Sequence, residues 1–205
     1  MQANTEHEFD DDAYVRQWAQ SADQRRPERA PMFARIVELL KGLPDAGTHV
    51  VELGCGPGTL GLAVLQALPQ ASYEGIDYSR PMLALAHERL DPFGSRARLH
   101  QADLRRGDWV SLIARPLDAI ISNQALHDLG SAEAVEAIYA QVFSALRPGG
   151  LFINAELVAP MHGQGKPGKL PLERHLQLLA ERGFADVHTE LVFGEYAGIV
   201  ARTPG

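Results

Sequence analysis

The segment Thr48-His-Val-Val-Glu-Leu-Gly-Cys-Gly-Pro-Gly58 predicts how this chain folds. It opens with a short apolar run rich in β-branched residues and ends in three glycines, and apolar residues then recur at helical spacing. An apolar run bounded by glycine indicates a strand, whereas the later spacing indicates an amphipathic helix. The segment therefore predicts a strand, a tight turn and a helix in succession.

Strand and helix patterns go on alternating to the end of the chain. The last two strand-like runs are joined by Phe193-Gly-Glu195, and a parallel crossover needs about a dozen residues or more. The domain is therefore expected to begin as repeated βα units and to close with an antiparallel hairpin. After the first strand, the predicted strands span residues 71–77, 96–101, 117–122, 151–157, 186–192 and 196–202.

Two helical stretches precede the first strand. We predict that residues 1–42 form a helical cover or lid segment on a cofactor-binding core of residues 43–205, within a single compact domain. The second stretch has one apolar face and is expected to cover a sheet edge. The first carries Tyr14 and Trp18 among charged residues. It either covers the sheet as well or lies over a ligand, which makes both rings candidate substrate contacts.

Composition narrows the class of protein. The 205 residues are 45% hydrophobic, enough for one core, and the formal charge of −7 gives little attraction to a nucleic-acid backbone. No apolar run reaches the roughly 18 residues of a membrane span, and the acidic first residues are unlike a secretory leader. With Cys55 as the single cysteine, neither an intrachain disulfide nor a four-thiolate zinc site can form. These features predict a soluble cytoplasmic protein without a metal, for which nucleic acid is a disfavoured partner.

The turn glycines Gly54, Gly56 and Gly58 follow the spacing G-x-G-x-G, one residue tighter than the dinucleotide pattern G-x-G-x-x-G. Glu52 stands two residues before them, and a carboxylate there disfavours a pyrophosphate. S-adenosylmethionine carries no phosphate; its ammonium suits Glu52, and its carboxylate suits the glycine N–H groups. The alternative for Glu52 is a strand-end carboxylate bonded to the N–H groups of its own loop.

Two aspartates end the next two strands. Asp77 closes the second strand, where a carboxylate can accept hydrogen bonds from both hydroxyls of a ribose. This feature is shared with nicotinamide enzymes and does not discriminate between cofactors. Asp103 ends the third strand, where a carboxylate can accept a hydrogen bond from the exocyclic amine of adenine. An Asx turn or helix cap ahead of Leu104 explains Asp103 equally well.

Five motifs occur in a specific order along the chain. They are the glycine turn with Glu52, the turn Gly75-Ile-Asp-Tyr-Ser79 followed by Pro81-Met-Leu83, Ala102-Asp-Leu104, Asp118-Ala-Ile-Ile-Ser-Asn123, and Leu146-Arg-Pro-Gly-Gly150. In this order, over roughly residues 48–202, they resemble the class I S-adenosylmethionine-dependent methyltransferases. The resemblance implies a Rossmann-like α/β fold with a seven-stranded, mostly parallel sheet in the order 3-2-1-4-5-7-6. Strand 7 is then antiparallel, helices cover both faces, and S-adenosyl-L-methionine is the cofactor.

Carried over by position, the resemblance implies a role for each matching residue. Asp77 resembles the ribose ligand, and Asn123 falls where family members line the methyl-transfer centre. The resemblance implies walls beside adenine at Tyr78 and Met82, and contacts to the adenine edge at Asp103 and Leu104. The full set of candidate cofactor-binding residues is Glu52, Gly54, Gly56, Gly58, Asp77, Tyr78, Met82, Asp103, Leu104 and Asn123.

The acceptor is less closely defined. Asn123 is followed by Gln-Ala, without the Asn-Pro-Pro-aromatic signature of methyltransferases that act on amino groups of adenine or glutamine. The resemblance therefore favours a small-molecule acceptor of another kind. Many members that act on small metabolites carry a long insertion after the fifth strand, whereas residues 158–170 here form a short Gly- and Pro-rich connector. Most of any lid is then expected to come from the N-terminal helix.

His127 lies just past the fourth strand, on the loop expected to border the acceptor. Imidazole suits proton transfer near neutral pH, so His127 is a candidate general base and substrate contact. The alternative is that it caps the following turn or bonds Asp128. The sequence thus predicts methyl transfer to a small molecule by in-line displacement. Two alternatives stay open: a protein that binds S-adenosylmethionine without catalysis, and a nicotinamide-dinucleotide-binding Rossmann protein.

Overall fold

The computed structural model describes residues 8–43, 47–160 and 168–205, which include a seven-stranded sheet. The strands are β1 His49–Leu53, β2 Ser72–Asp77, β3 Ala97–Gln101, β4 Leu117–Asn123, β5 Leu146–Leu157, β6 Ala185–Phe193 and β7 Tyr196–Arg202. Their order across the sheet is β3-β2-β1-β4-β5-β7-β6. The first five strands are parallel, and β7 pairs antiparallel with both β5 and β6. The predicted strand order and the antiparallel closing hairpin are confirmed.

Six α-helices accompany the sheet in the described part of the chain. Asp11 caps the first helix by accepting a hydrogen bond from the backbone N–H of Tyr14 at 2.7 Å. Ser79 caps the fourth in the same way, 3.2 Å from the N–H of Met82. The helices are α1 Asp12–Arg25, α2 Arg29–Lys41, α3 Thr59–Ala67, α4 Arg80–Leu90, α5 Ala132–Ala145 and α6 Leu172–Arg182.

Each face of the sheet is covered by helices, because neighbouring residues of a strand point to opposite faces. In β4, Ala119 and Ile121 pack in the apolar core beneath α2 and α3. Ile120, between them, packs in the second core, beneath α5 and α6. This alternation explains why the central strands read as continuous apolar runs. The fold class is therefore the doubly covered α/β architecture that the motifs predicted.

The carboxyl ends of β1 to β5 meet at one edge of the sheet, where ligands bind in open α/β folds. The antiparallel strand β7 begins at the same edge, since Tyr196 pairs with Leu157 at the end of β5. The N-terminal helices differ in placement: α2 packs against the sheet, whereas α1 contacts α4. The division of the chain near residue 42 into a cover and a core stays a prediction. Among the described residues, no helix combines the length and apolar character needed to cross a membrane.

Candidate functional site

The glycine turn after β1 has a backbone that only glycine adopts without strain. Gly54, Gly56 and Gly58 have φ angles of 69°, 51° and 75°. A Cβ at Gly54 would lie 2.3 Å from the Cβ of Ala125, which shows that the turn packs directly against the loop after β4. A Cβ at Gly56 would meet nothing within 4 Å. The backbone at Gly56 is therefore open to the close approach of a ligand.

The N–H groups of this turn bond within the protein. Those of Gly54 and Cys55 donate to the carbonyl of Ile76, and that of Gly58 donates to the carbonyl of Cys55. The N–H of Gly56 donates to the Asp77 carboxylate at 2.8 Å. We expected these groups to meet the carboxylate of a cofactor. These N–H groups therefore already have acceptors within the protein.

Asp77, at the end of β2, holds two turns together. Its Oδ2 accepts from the N–H of Gly56, and its Oδ1 accepts from the N–H of Ser79 at 2.9 Å. Burial raises the pKa of the carboxyl above its ordinary value, and the backbone hydrogen bonds, which favour the charged form, oppose this rise. Asp77 thus combines a structural role with a position in the wall of the cavity described below.

Glu52 is almost completely buried, with 2% of its surface exposed. Its Oε2 accepts a hydrogen bond from the Tyr73 hydroxyl at 2.6 Å, and the backbone of Gly61 bonds it as well. Burial raises the pKa of Glu52 to about 8, although these bonds and the positive charge of Arg29 oppose the shift. Arg29 is itself buried, with its guanidinium 5.2 Å from the centre of the Phe33 ring. The carboxyl group of Glu52 and the guanidinium of Arg29 therefore interact beside the glycine turn, an arrangement suited to a zwitterion.

Asp103 is the cap of a short 3-10 helix, Leu104–Arg106, as the alternative interpretation of the sequence had it. Its Oδ1 accepts from the backbone N–H of Arg105 at 3.0 Å, and its Oδ2 lies 2.9 Å from the Arg105 guanidinium. The hydrogen bonds from Arg105 hold the pKa of the Asp103 carboxyl below its ordinary value. Asp103 also lines the cavity, so its role as a cap is compatible with a contact to adenine. That contact stays a prediction.

The N-terminal segment closes one side of the site. The carbonyl of Phe9 accepts a hydrogen bond from the Ser79 hydroxyl at 2.5 Å, which ties this segment to the start of α4. The Phe9 ring packs edge-on against Tyr14 and Trp18, at centroid distances of 5.6 and 5.9 Å. Tyr14 and Trp18 line the cavity together with Tyr78, whose pKa is raised to about 12 chiefly by burial. Tyr14, Trp18 and Tyr78 therefore form an aromatic wall beside the end of β2.

His127 lies on the loop after β4 and contacts a buried carboxylate. Its Nδ1 is 2.6 Å from Oε1 of Glu156, which is fully buried at the end of β5. Glu156 also accepts from the backbone N–H groups of Leu126, His127 and Leu157 at 2.8, 3.2 and 2.7 Å. Three backbone donors stabilise an ionised carboxylate, so the His127 Nδ1 is the donor in this pair. The other ring nitrogen, Nε2, lies 3.4 Å from a carboxylate oxygen of the exposed Asp128.

Sequence reasoning missed Glu156 and its neighbour Asn154. Both are fully buried polar residues in the apolar stretch 151–157 of β5, and they lie two positions apart. Asn154 donates to the Tyr139 hydroxyl at 3.1 Å, and that hydroxyl is 2.6 Å from Nδ1 of the buried His175. The sequence did contain a signal for Glu156, because an acidic residue stands near the end of a strand that reads as buried. Buried charges of this kind are rare unless they are paired.

A cavity of about 880 Å³ opens at the carboxyl edge of the sheet and brings the predicted residues together. Asn123 lines it and accepts a hydrogen bond from the Tyr196 hydroxyl at 2.6 Å. Of the predicted site residues, Gly58 is not in the wall; a Cβ at this position would lie 3.2 Å from Ala86 of α4. The predicted residues in the wall are Tyr14, Trp18, Glu52, Gly54, Gly56, Asp77, Tyr78, Met82, Asp103, Leu104, Asn123 and His127.

Comparison with known proteins identifies similar sequences. The family described as "Methyltransferase domain" matches residues 50–150. The release factor glutamine methyltransferase of Gloeobacter violaceus is 32% identical over 164 residues, covering 68% of this chain and 54% of that protein. The trans-aconitate 2-methyltransferase of Paracidovorax citrulli is 36% identical over 115 residues, covering 56% of this chain and 41% of that protein. The chain therefore spans about half the length of the curated relatives it matches.

A solved structure agrees with the fold. An O-methyltransferase family protein from Burkholderia thailandensis aligns with 98% of this chain and 63% of its own, with a TM-score of 0.74 and 18% identity. At this identity the likeness shows the fold alone. Relatives in sequence also include ribosomal RNA methyltransferases, so the acceptors named for the relatives differ in class.

Proposed function

The chain belongs to the class I S-adenosylmethionine-dependent methyltransferases, and on this premise we propose that it methylates a small molecule with S-adenosyl-L-methionine as donor. The observation that carries the proposal is the cavity that joins the glycine turn and Asp77 to the pair of His127 and Glu156. Its volume of about 880 Å³ lies near the upper end of the roughly 300–1,000 Å³ typical of ligand sites. Such a volume has room for a cofactor and a small acceptor.

The residues present fit the cofactor. The open side of Gly56 admits a ligand to the backbone, and Tyr78 offers an apolar contact for adenine. We infer that Glu52 binds the ammonium and that Arg29 binds the carboxylate, since the glycine N–H groups are engaged within the protein. When bound, S-adenosylmethionine supplies a methyl group on a positively charged sulfur.

The other predicted contacts keep their proposed roles. Asp77 accepts hydrogen bonds from the ribose while retaining those from the turns, and Met82 with Tyr78 flanks adenine. Asp103 and Leu104 bind the adenine edge, and Asn123 borders the methyl-transfer centre. We also propose that Tyr14 and Trp18 contact the acceptor, as members of the aromatic wall over the cavity.

His127 is proposed as the general base. Its Nδ1–H is held by Glu156, and Nε2 is the nitrogen that we propose accepts a proton from the acceptor. The imidazole is 12% exposed, so bulk water has limited access to it. Positioning of the reactants supplies much of the barrier reduction in such a displacement, and proton transfer adds about 10²–10⁴-fold. The loop after β4 thus supplies both a wall and a base.

A small acceptor is favoured over a macromolecule. The aromatic wall lines the cavity, and the formal charge of −7 gives little attraction to RNA. The trans-aconitate 2-methyltransferase relative is named for a small carboxylate acceptor. The cytoplasmic location expected from the sequence remains part of this proposal.

Calorimetry and a labelled screen test the proposal. The protein is titrated with S-adenosylhomocysteine and, separately, with NAD; it is then incubated with methyl-labelled S-adenosylmethionine and a set of hydroxyl, amine and carboxylate metabolites. We expect tight binding of S-adenosylhomocysteine, none of NAD, and label in a small product. Tighter binding of NAD would favour a nicotinamide-binding protein. Cofactor binding with label only in added ribosomal RNA or protein would reject the small acceptor.

A further inference from the structure

Gln124 carries a buried amide nitrogen with no protein partner in the described residues. Its Nε2 is enclosed and has no hydrogen-bond acceptor within 8–43, 47–160 or 168–205. The same side chain lines the cavity, immediately after Asn123. A buried donor without a partner costs free energy, and such groups in native structures call for an explanation. A ligand oxygen in the cavity provides one.

The backbone of Gln124 is also held in an uncommon conformation. Its φ of 51° lies in the left-handed region, which side chains other than glycine adopt at a cost. The surrounding bonds impose it: the Gln124 N–H donates to the carbonyl of Ala155 at 2.8 Å, and the Leu126 N–H donates to Glu156 at 2.8 Å. Gln124 thus carries a side chain at a position whose backbone conformation glycine adopts at lower cost.

The position of Gln124 lies at the junction of the two halves of the site. Its neighbour Ala125 packs against Gly54, where a Cβ would lie only 2.3 Å away. Three residues later, His127 presents its imidazole to the same cavity. A donor on this turn is therefore placed between the cofactor half, marked by the glycine turn, and the proposed base.

We propose that Gln124 Nε2 donates a hydrogen bond to an oxygen of the methyl acceptor adjacent to the hydroxyl that is methylated. This inference rests on the proposed function and names the acceptor class: compounds in which a hydroxyl group neighbours a carbonyl or carboxylate oxygen. The hydroxyl proton faces His127, and the neighbouring oxygen satisfies the amide. A site built to hydrogen-bond an oxygen rejects an analogue that lacks it, because the buried donor is then left unpaired.

Binding to the protein saturated with S-adenosylhomocysteine tests the inference. Two matched pairs serve as probes: salicylate with phenol, and lactate with 2-propanol. We expect the carboxylate-bearing member of at least one pair, salicylate or lactate, to bind tenfold or more tightly than its partner. In Gln124→Met, which keeps the length of the side chain but removes the donor, this preference is expected to disappear. The exposed Gln177, replaced by Met, is the matched control and should keep it.

Thermal unfolding provides a readout independent of turnover. A buried amide without a partner destabilises the ligand-free protein, so Gln124→Met is expected to unfold at the same or a higher temperature. Gln124→Gly, which relieves the left-handed backbone, is expected to raise the temperature. A lower melting temperature in both variants would show that the amide stabilises the fold.

The outcomes separate this inference from the proposed function. If S-adenosylhomocysteine binds and neither pair shows a preference, or if Gln124→Met keeps the preference, the acceptor class is wrong and the cofactor assignment stands. If S-adenosylhomocysteine does not bind the wild-type protein, the proposed function fails and this inference fails with it.

Discussion

The imidazole Nδ1 of His127 lies 2.6 Å from a carboxylate oxygen of Glu156, and Glu156 is fully buried. The carboxylate fixes which imidazole nitrogen carries the proton, because an ionised carboxylate only accepts hydrogen bonds. It also fixes the loop, since the backbone N–H groups of Leu126 and His127 bond it too. Glu156 is therefore a positioning residue for the proposed base.

Glu156→Gln is predicted to impair turnover without impairing cofactor binding. The amide offers one acceptor where the carboxylate offers two, so the His127 ring loses its fixed tautomer. We expect a loss of turnover of about 10²–10⁴-fold, with the affinity for S-adenosylhomocysteine within about twofold. The negative charge beside the imidazole is also removed, so the acid limb of the pH–rate profile should shift. Full activity with an unchanged profile would exclude a positioning role.

Asp77→Asn is predicted to weaken both the fold and the cofactor site. Asparagine cannot accept with both of its terminal atoms, so the N–H of Gly56 or of Ser79 is left facing another donor. The expected loss is about 1.5–3 kcal/mol in the free energy of unfolding, and a tenfold or larger loss of S-adenosylhomocysteine affinity. Urea denaturation and calorimetry measure the two effects, with the exposed Asp91, changed to Asn, as the control. Lower stability with unchanged affinity would indicate a purely structural aspartate.

Glu52 is predicted to release a proton when S-adenosylhomocysteine binds. Burial raises its pKa to about 8 in the free protein, so it is mostly protonated at pH 7. An ammonium group beside it favours the ionised form, and binding of S-adenosylhomocysteine should therefore release up to about one proton at pH 7. Calorimetry in buffers with different ionisation enthalpies measures this release, which should vanish in Glu52→Gln. A binding enthalpy that is independent of the buffer would show that Glu52 does not meet the ammonium.

The buried His175 is predicted to make the free energy of unfolding rise with pH. Burial lowers its pKa from 6.5 to about 4, although the negative charge of Glu156 opposes the shift. The unfolded chain therefore binds more protons than the folded protein between these values, and the contribution of His175, complete above pH 6.5, is lost as the pH falls through about 4. Denaturant unfolding at pH 7.5 and pH 5 measures the slope, which His175→Gln should reduce by up to about 1.4 kcal/mol per pH unit. An equal slope in both proteins would mean that His175 is protonated when folded.

Much of the fold could be predicted from the sequence, because local patterns determine it. The apolar run before Gly54 and the short link at Phe193-Gly-Glu195 correspond to the observed parallel strand and antiparallel hairpin. The resemblance to a known family supplied the strand order, which local pattern alone does not contain. The predicted site residues, except Gly58, line one cavity because most of them follow the carboxyl ends of strands that meet at one edge.

The rest of the site depends on contacts between distant parts of the chain. His127 and Glu156 are separated by 29 positions and meet because β4 and β5 are neighbours. Similarly, the bond between Ser79 and Phe9 spans 70 positions. The left-handed backbone of Gln124 is imposed by its neighbours and not by its residue type. No local pattern specifies such contacts, which explains why sequence reasoning missed them.

The most direct test of the account is single-turnover methyl transfer by the wild-type protein and by His127→Ala, each saturated with methyl-labelled S-adenosylmethionine and given a small acceptor from the labelled screen. The account predicts that His127→Ala forms the labelled product about 10²–10⁴-fold more slowly, while its affinity for S-adenosylhomocysteine is unchanged. A rate within threefold of wild type, or an equal loss of cofactor affinity, would contradict it.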